Sequence, residues 1–280
     1  MRPRAPRRCR ALPAAVLAAA VLLPLSGCAQ SVDPIERLGK KAAQGVRPHG
    51  RKAEQAYRRW GLQSPLAPAP TPSARPSASH RDSRSLPPVL DHVRTRDRVV
   101  FLTYGDGAEE DARFADMVRE LRLPVSVFLT GSVAGPGYRH VARLQSAGAG
   151  VQNHTLGSSS LRGLPYAGQR AEICGQQEKL NARFGSRPSL FRPPDGTYDR
   201  TTLRAAADCG VSAVVLWRAE MTADEITYAH GPAHLRPGDI IVVAPDAPTG
   251  PGPTLCDRTA RLLRRAQSRG LTVGRLEDYL

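Results

Sequence analysis

The chain has 280 residues, enough for one good-sized core and a tether. Its formal charge of +15 comes almost wholly from arginine, since lysine stands only at positions 40, 41, 52 and 179. No RNA- or DNA-binding motif accompanies that charge, which excludes nucleic acid as the expected partner. An anionic surface or polymer, or a plain arginine-rich solvated exterior, remains.

Residues 1–28 open with Arg2, Arg4, Arg7, Arg8 and Arg10, run through ALPAAVLAAAVLLPL and close on Leu25-Ser26-Gly27-Cys28. A basic start, a short apolar run and small residues at a cleavage point are the layout of a secretory signal. The run is too short and alanine-rich to read as a membrane span. Its last four residues look like a bacterial lipobox, which implies acylation of Cys28 and an extracytoplasmic, membrane-anchored lipoprotein. Secretion after ordinary cleavage is the alternative. Loss of the five leader arginines lowers the charge from +15 to +10. Cys9 goes with the leader, leaving Cys174, Cys209 and Cys256 in an oxidising compartment. Cys174 and Cys209, on predicted helices flanking one strand, are the pair expected to bridge.

Residues 29–97 read as a flexible Pro/Ser/Ala-rich tether. PIERLGKKAAQG and RKAEQAYRRWGL fit short amphipathic helices, whereas SPLAPAPTPSARPSASHRDSRSLPP has no apolar periodicity and reads as an extended spacer. From Arg98 the character changes. The short apolar runs VVFLT, PVSVFLT, AGVQNHT, SLFRPPDG, VSAVVLW and GDIIVVAPD alternate with helical patterns that end in glycine. This predicts an α/β domain over 98–280, with parallel strands and helical crossovers. In an α/β barrel functional groups follow the carboxyl ends of strands, and acidic, His, Arg and Asp-Gly residues stand there in this sequence.

TYGDG, NHTLGSSSL, FRPPDG and LRPGDIIVVAPD, in that order, resemble the motifs of polysaccharide deacetylases, the NodB-homology family of carbohydrate esterases. The resemblance spans roughly residues 98–280. It implies a distorted (β/α) barrel and metal-dependent removal of acetyl groups from glycans such as peptidoglycan or chitin. It also implies a division of labour. The first turn carries a base and a metal-ligating carboxylate, and the second carries two histidine ligands four apart. An Arg-Pro turn orients the base, and a histidine acid follows the last strand. A zinc-like divalent ion needs three protein ligands and an open position, and it acidifies water and polarises the acetyl carbonyl. The base and acid move the protons.

Against that pattern the sequence keeps Asp106 at the ligand carboxylate and His154 at the first histidine, but Ser158 stands at the second. Gly105 replaces the base and Ala244 the acid. Arg192 is retained with Pro193, Pro194 and Gly196, without its expected carboxylate partner. Asp195, where the family has an aromatic residue, offers a makeshift third ligand, and Asp246 lies two past Ala244. Trp217 suits stacking on a pyranose ring or filling core, and Tyr104 and Pro194 are its expected neighbours in a substrate groove. His140, His230 and His234 read as surface residues. The expectation is therefore a lipoprotein with a degenerate deacetylase-like domain, without cofactor, or with zinc or another divalent metal if the site persists. It would bind cell-wall polysaccharide or scaffold the envelope. The alternative is an active metal-dependent de-N-acetylase with a rearranged site.

Overall fold

The buried run Val99–Tyr104 forms the strand around which the domain is built. A computed structural model describes residues 55–73, 85–132, 138–157, 159–185, 187–244 and 252–280. The leader with Cys28, and also Ser158 and Asp246, lie outside the described residues. No helix among the described residues is long and apolar enough to cross a membrane.

In chain order the elements are β1 (Val89–Leu90), β2 (Val99–Tyr104), α1 (Ala112–Leu121), β3 (Ser126–Leu129), α2 (Tyr138–Ser146), β4 (Gly150–Asn153) and α3 (Tyr166–Phe184). Then come β5 (Leu190–Phe191), α4 (Arg200–Asp208), β6 (Ala213–Val215), β7 (Ala219–Met221), β8 (Ile226–Tyr228), β9 (Ile240–Val243), α5 (Leu255–Ser268) and β10 (Thr272–Val273). The strands form one sheet in the order β1-β6-β5-β4-β3-β2-β9-β7-β8, with β10 paired to β2. Only the β7–β8 hairpin is antiparallel among these pairs. A parallel sheet covered by helices is buried on both faces, which is why its strands read as continuous apolar runs. This is the distorted (β/α) barrel that the sequence resemblance implied.

Local chemistry sets the helix starts. Asp111 caps α1 by accepting from the backbone N–H groups of Arg113 and Phe114, and the helix buries Phe114, Ala115, Met117 and Val118. Capping boxes start α4 (Asp199 with Thr202) and α5 (Thr254 with Asp257). Helix α3 buries glutamines instead of a plain apolar stripe. Gln176 Nε2 donates to Leu129 O at 2.7 Å, and Gln177 Nε2 to Pro188 O at 2.7 Å. These bonds pin strand-end backbone carbonyls that would otherwise be buried without partners. Cys174 of α3 is disulfide-bonded to Cys209, just past α4, with Cα atoms 5.0 Å apart.

The tether expected over residues 29–97 requires correction in its second half. Residues 55–59 are helical, and Ala56, Trp60 and Leu62 are buried. Trp60 Nε1 donates to Glu120 at 2.9 Å, Arg264 donates to Gly61 O at 3.0 Å, and Gln267 donates to Ser64 O at 3.0 Å. Proline-rich chain then runs on over the surface, with Ser73 Oγ bonded to Asp97 at 2.5 Å. Val89–Leu90 enters the sheet as the partner of β6. Composition gives the Pro/Ser/Ala run no core of its own, but the domain supplies the surface on which part of it lies.

Candidate functional site

Parallel register gathers the chemistry at one end of the sheet. Gly105, Thr130, His154, Arg192 and Ala244 are each the first residue beyond β2, β3, β4, β5 and β9 respectively. A chain of hydrogen bonds links their loops. Asp106 accepts from Thr130 N at 2.9 Å with one carboxylate oxygen and from Thr130 Oγ1 at 2.7 Å with the other. Gly131 N donates to the carbonyls of Thr155 and Leu156, both at 3.0 Å. A Cβ at Gly131 would stand 2.8 Å from Leu156 O, so only glycine allows this approach.

His154 is held from both sides. Its backbone N–H bonds Leu129 O at 3.1 Å, and its Nδ1 lies 2.8 Å from Arg192 O. A carbonyl can only accept, so Nδ1 carries the hydrogen and Nε2 keeps its lone pair, the arrangement of a metal-binding imidazole. Burial lowers the His154 pKa below the ordinary 6.5, opposed by that backbone bond, and the Arg192 charge adds to the lowering. The neighbouring Thr155 has φ 76. A β-branched residue in the left-handed region is strained, and such strain persists only where its surroundings over-determine it. Here Thr155 N donates to Asn153 Oδ1 at 2.8 Å, and Asn153 Nδ2 donates to Ile173 O at 2.9 Å.

Arg192 is 3% exposed. Its Nε donates to Val215 O at 3.2 Å and its NH2 to Thr103 Oγ1 at 2.8 Å, while NH1 has no partner among the described residues. The guanidinium lies over Phe128 (4.2 Å to the ring centroid) and Trp217 (5.3 Å). Burial lowers its pKa to about 9. A Cβ built on Gly105 would meet no atom of the described residues within 4 Å.

Several expected site residues fall elsewhere. Tyr104 does not line a groove: it is fully buried, its ring 4.5 Å from that of Phe114 and its hydroxyl 3.1 Å from Thr259 Oγ1. Strand alternation explains the correction, because Tyr104 points away from the face shared by Thr103 and position 105. Pro194 is also buried, beneath the Arg-Pro turn. Asp195 is exposed and left-handed at φ 54, followed by Gly196 at φ 66. A Cβ on Gly196 would approach the Trp217 ring to 3.3 Å, which places the half-buried indole against this turn. Ala244 is half-buried, its N–H bonded to Met221 O at 3.0 Å. His230 pairs with Asp91 at 2.6 Å on the surface.

The donor set does not fit a firmly held zinc. Asp106 and His154 are two strong donors, and both Asp106 oxygens are already engaged by Thr130. Among the described residues no group of three or more His, Cys, Asp or Glu could hold a metal ion, so Asp106, His154 and Asp195 do not assemble the makeshift shell. Sequence reading also missed Glu109. It is 2% exposed, accepts from Gly107 N at 2.9 Å, and is pushed up to about 7 by burial and by nearby Asp106. Nothing in GDGAEE separates this buried glutamate from exposed Glu110. Thr130 and Thr103 were missed too, although each ends the repeated FLT triplet.

Solved structures share this fold. A family 4 carbohydrate esterase from Bacillus anthracis matches with TM-score 0.57 at 19% identity, over 68% of this chain and 86% of that one. A CE4 family pseudoenzyme from the same organism matches with TM-score 0.54 at 16% identity, over 66% of each chain. A mutant of that pseudoenzyme, described as having restored enzymatic activity, gives 0.55 at 17%, over 66% of this chain and 68% of that one. The family description "Polysaccharide deacetylase" matches residues 92–214. An uncharacterised protein of Streptomyces coelicolor is 51% identical over 281 residues, covering 98% of this chain and 100% of that protein. Residues 92–214 of the chain carry a polysaccharide deacetylase domain.

Proposed function

We propose that this protein is a lipid-anchored, non-catalytic family member that holds cell-wall glycan in the groove beside Arg192 and Trp217. One observation carries the reading: Arg192, the arginine that the resemblance has orienting the base, is buried with NH1 unpartnered among the described residues, and Gly105 has no side chain to serve as that base. Supporting it, Ala244 offers no proton at the acid position, and two donors fall short of the three ligands that a catalytic zinc needs. Glu109 does not replace the base, since it is enclosed behind the turn at 2% exposure. The CE4 pseudoenzyme of Bacillus anthracis is a precedent for the fold without the activity.

The test uses the mature chain with zinc added, on acetylated chito-oligomers and on purified peptidoglycan. No acetate release, together with saturable co-sedimentation with peptidoglycan that Trp217→Ala weakens, is expected. Metal-dependent acetate release abolished by His154→Ala would overturn the reading in favour of an active de-N-acetylase. Loss of palmitate incorporation into the protein on Cys28→Ser substitution is the expected result for the anchor, and unchanged incorporation would overturn it.

A further inference from the structure

We propose that the arginine-lined recess between α5, the β7–β8 hairpin and residues 63–64 binds a linear phosphodiester polymer that carries no bases. The recess has a volume of about 720 Å³, and Arg261, Arg264, Arg265 and Arg269 line it together with the carboxylates of Asp224 and Glu225. A second cavity of about 440 Å³ lies beside it, lined by Arg59, Arg113 and Asp257. Arg261 and Arg264 line both, so these two exposed side chains form the wall between them. Neither cavity is lined by Asp106, His154, Arg192 or Trp217, so the site goes beyond the glycan reading and does not depend on it.

The charge on these walls is uncompensated. Of the six arginines only Arg59 forms an ion pair among the described residues, with Glu120. Neutral acceptors aim two of the others. Arg261 NH1 donates to the carbonyls of Ala223 at 3.0 Å and Asp224 at 2.8 Å, and Arg264 NH1 donates to Gly61 O at 3.0 Å. A guanidinium has five N–H donors, so each keeps others for a ligand while its position is already fixed. Such preorganisation lowers the entropy lost on binding. The side chains of Arg265 and Arg269 make no hydrogen bond or ion pair among the described residues.

Spacing and chemistry choose the ligand. Positions 261, 264, 265 and 269 recur at intervals of three and four, so they share one face of α5. From Arg261 to Arg269 that face runs about 12 Å along the axis, farther than one phosphate group can reach. Tetrahedral phosphate accepts from several arginines at once, whereas one guanidinium fork satisfies a planar carboxylate. A membrane surface would be gripped by inserted apolar side chains, and the exposed Leu86, Leu164 and Tyr166 line neither cavity. Single-stranded nucleic acid needs open aromatic faces for its bases. Trp60 is 7% exposed, and Tyr228 already carries the Arg218 guanidinium 5.0 Å from its ring centroid.

The experiment titrates the mature chain by calorimetry with a glycerol phosphate oligomer. Inorganic phosphate, oligothymidylate and polygalacturonate are run at equal anion concentration, and phosphatidylglycerol vesicles by sedimentation. Arg265→Gln/Arg269→Gln changes the recess. Arg94→Gln/Arg200→Gln makes the same change in net charge at exposed positions that line neither cavity. The expected result is saturable oligomer binding that weakens about tenfold in the first variant and stays within about twofold in the second. Arg113→Gln, on the far side of the shared wall, should weaken it as well. Equal losses in the two double variants would reduce the effect to net charge and overturn the site, as would the absence of saturable binding. Oligomer binding untouched by Arg113→Gln would overturn a ligand spanning both cavities. Phosphate, oligothymidylate or polygalacturonate binding as tightly as the oligomer overturns the ligand class. Vesicle binding controlled by Arg265 and Arg269 in place of oligomer binding does so too. Melting temperatures close to the parent's are expected for both double variants, since Arg265 and Arg269 have no side-chain bond to lose.

Discussion

Glu109 shows how one buried side chain makes stability depend on pH. Its carboxyl is raised from an ordinary 4.5 to about 7, first by burial and then by the charge of Asp106. A carboxyl with a raised folded-state pKa holds its proton more tightly when folded, so its contribution is fully present below about 4.5 and is lost as pH rises through about 7. His154 acts in the opposite sense: its pKa is lowered, so stability falls as pH drops below its ordinary 6.5. Glu109→Gln keeps an acceptor for Gly107 N and removes the ionisation. Urea midpoints at pH 5, 6.5 and 8 should show the variant gaining on the parent as pH rises. A constant difference across that range would mean that Glu109 titrates normally.

Two elements make predictions of their own. The strap over residues 55–66 reads as tether carrying a short amphipathic helix, but it drives Trp60 against α1 and α5, where the indole is 7% exposed and bonded to Glu120. Trp60→Ala should cost about 3 kcal/mol, the lower end for truncating a buried aromatic. A chain beginning at Arg98 should be destabilised further, because it also removes β1 from the edge of β6. Chemical denaturation checks both; an unchanged midpoint would restore the simple tether. On the other side of the barrel, the Cys174–Cys209 bridge closes a loop of sequence separation 35. Replacing both cysteines with serine should cost on the order of 3–4 kcal/mol by loop entropy, read as a fall in melting temperature matched by reduction of the parent.

At the scale of the whole molecule, a polar cluster joins the two ends of the open sheet. Asp239, fully buried at the start of β9, accepts from Arg218 Nε at 2.5 Å, from Arg236 N at 2.9 Å and from Arg218 NH2. His92, just past β1, forms a bridge to Asp239, and Asp91 pairs with His230 just past β8. Arg218 also donates to the carbonyls of His230, Pro232 and His234. Burial raises the Asp239 pKa, but the bonds from Arg218, His92 and Arg236 outweigh it and hold the group below the ordinary carboxylate value. Asp239→Ala strands a buried guanidinium and should cost about 3–5 kcal/mol. Under the glycan binding proposed at Trp217, it should weaken stability more than peptidoglycan binding per folded molecule, as denaturation and sedimentation together would show.

The sequence by itself determined the alternation of strands and helices from Val99 onward, because apolar runs and glycine stops are local signals that parallel packing leaves intact. It also determined which reactive side chains are absent, since Gly105 and Ala244 have no groups that any fold could restore. Tertiary structure alone decided the orientation of what remained. Tyr104 turns into the core by strand alternation, Glu109 becomes buried while Glu110 stays exposed, and a proline-rich run finds a surface on which to lie. Above all, only packing against β2, β3 and β6 encloses Arg192, whose NH1 has no partner among the described residues. That follows from contacts between residues distant in the chain, which no local pattern encodes.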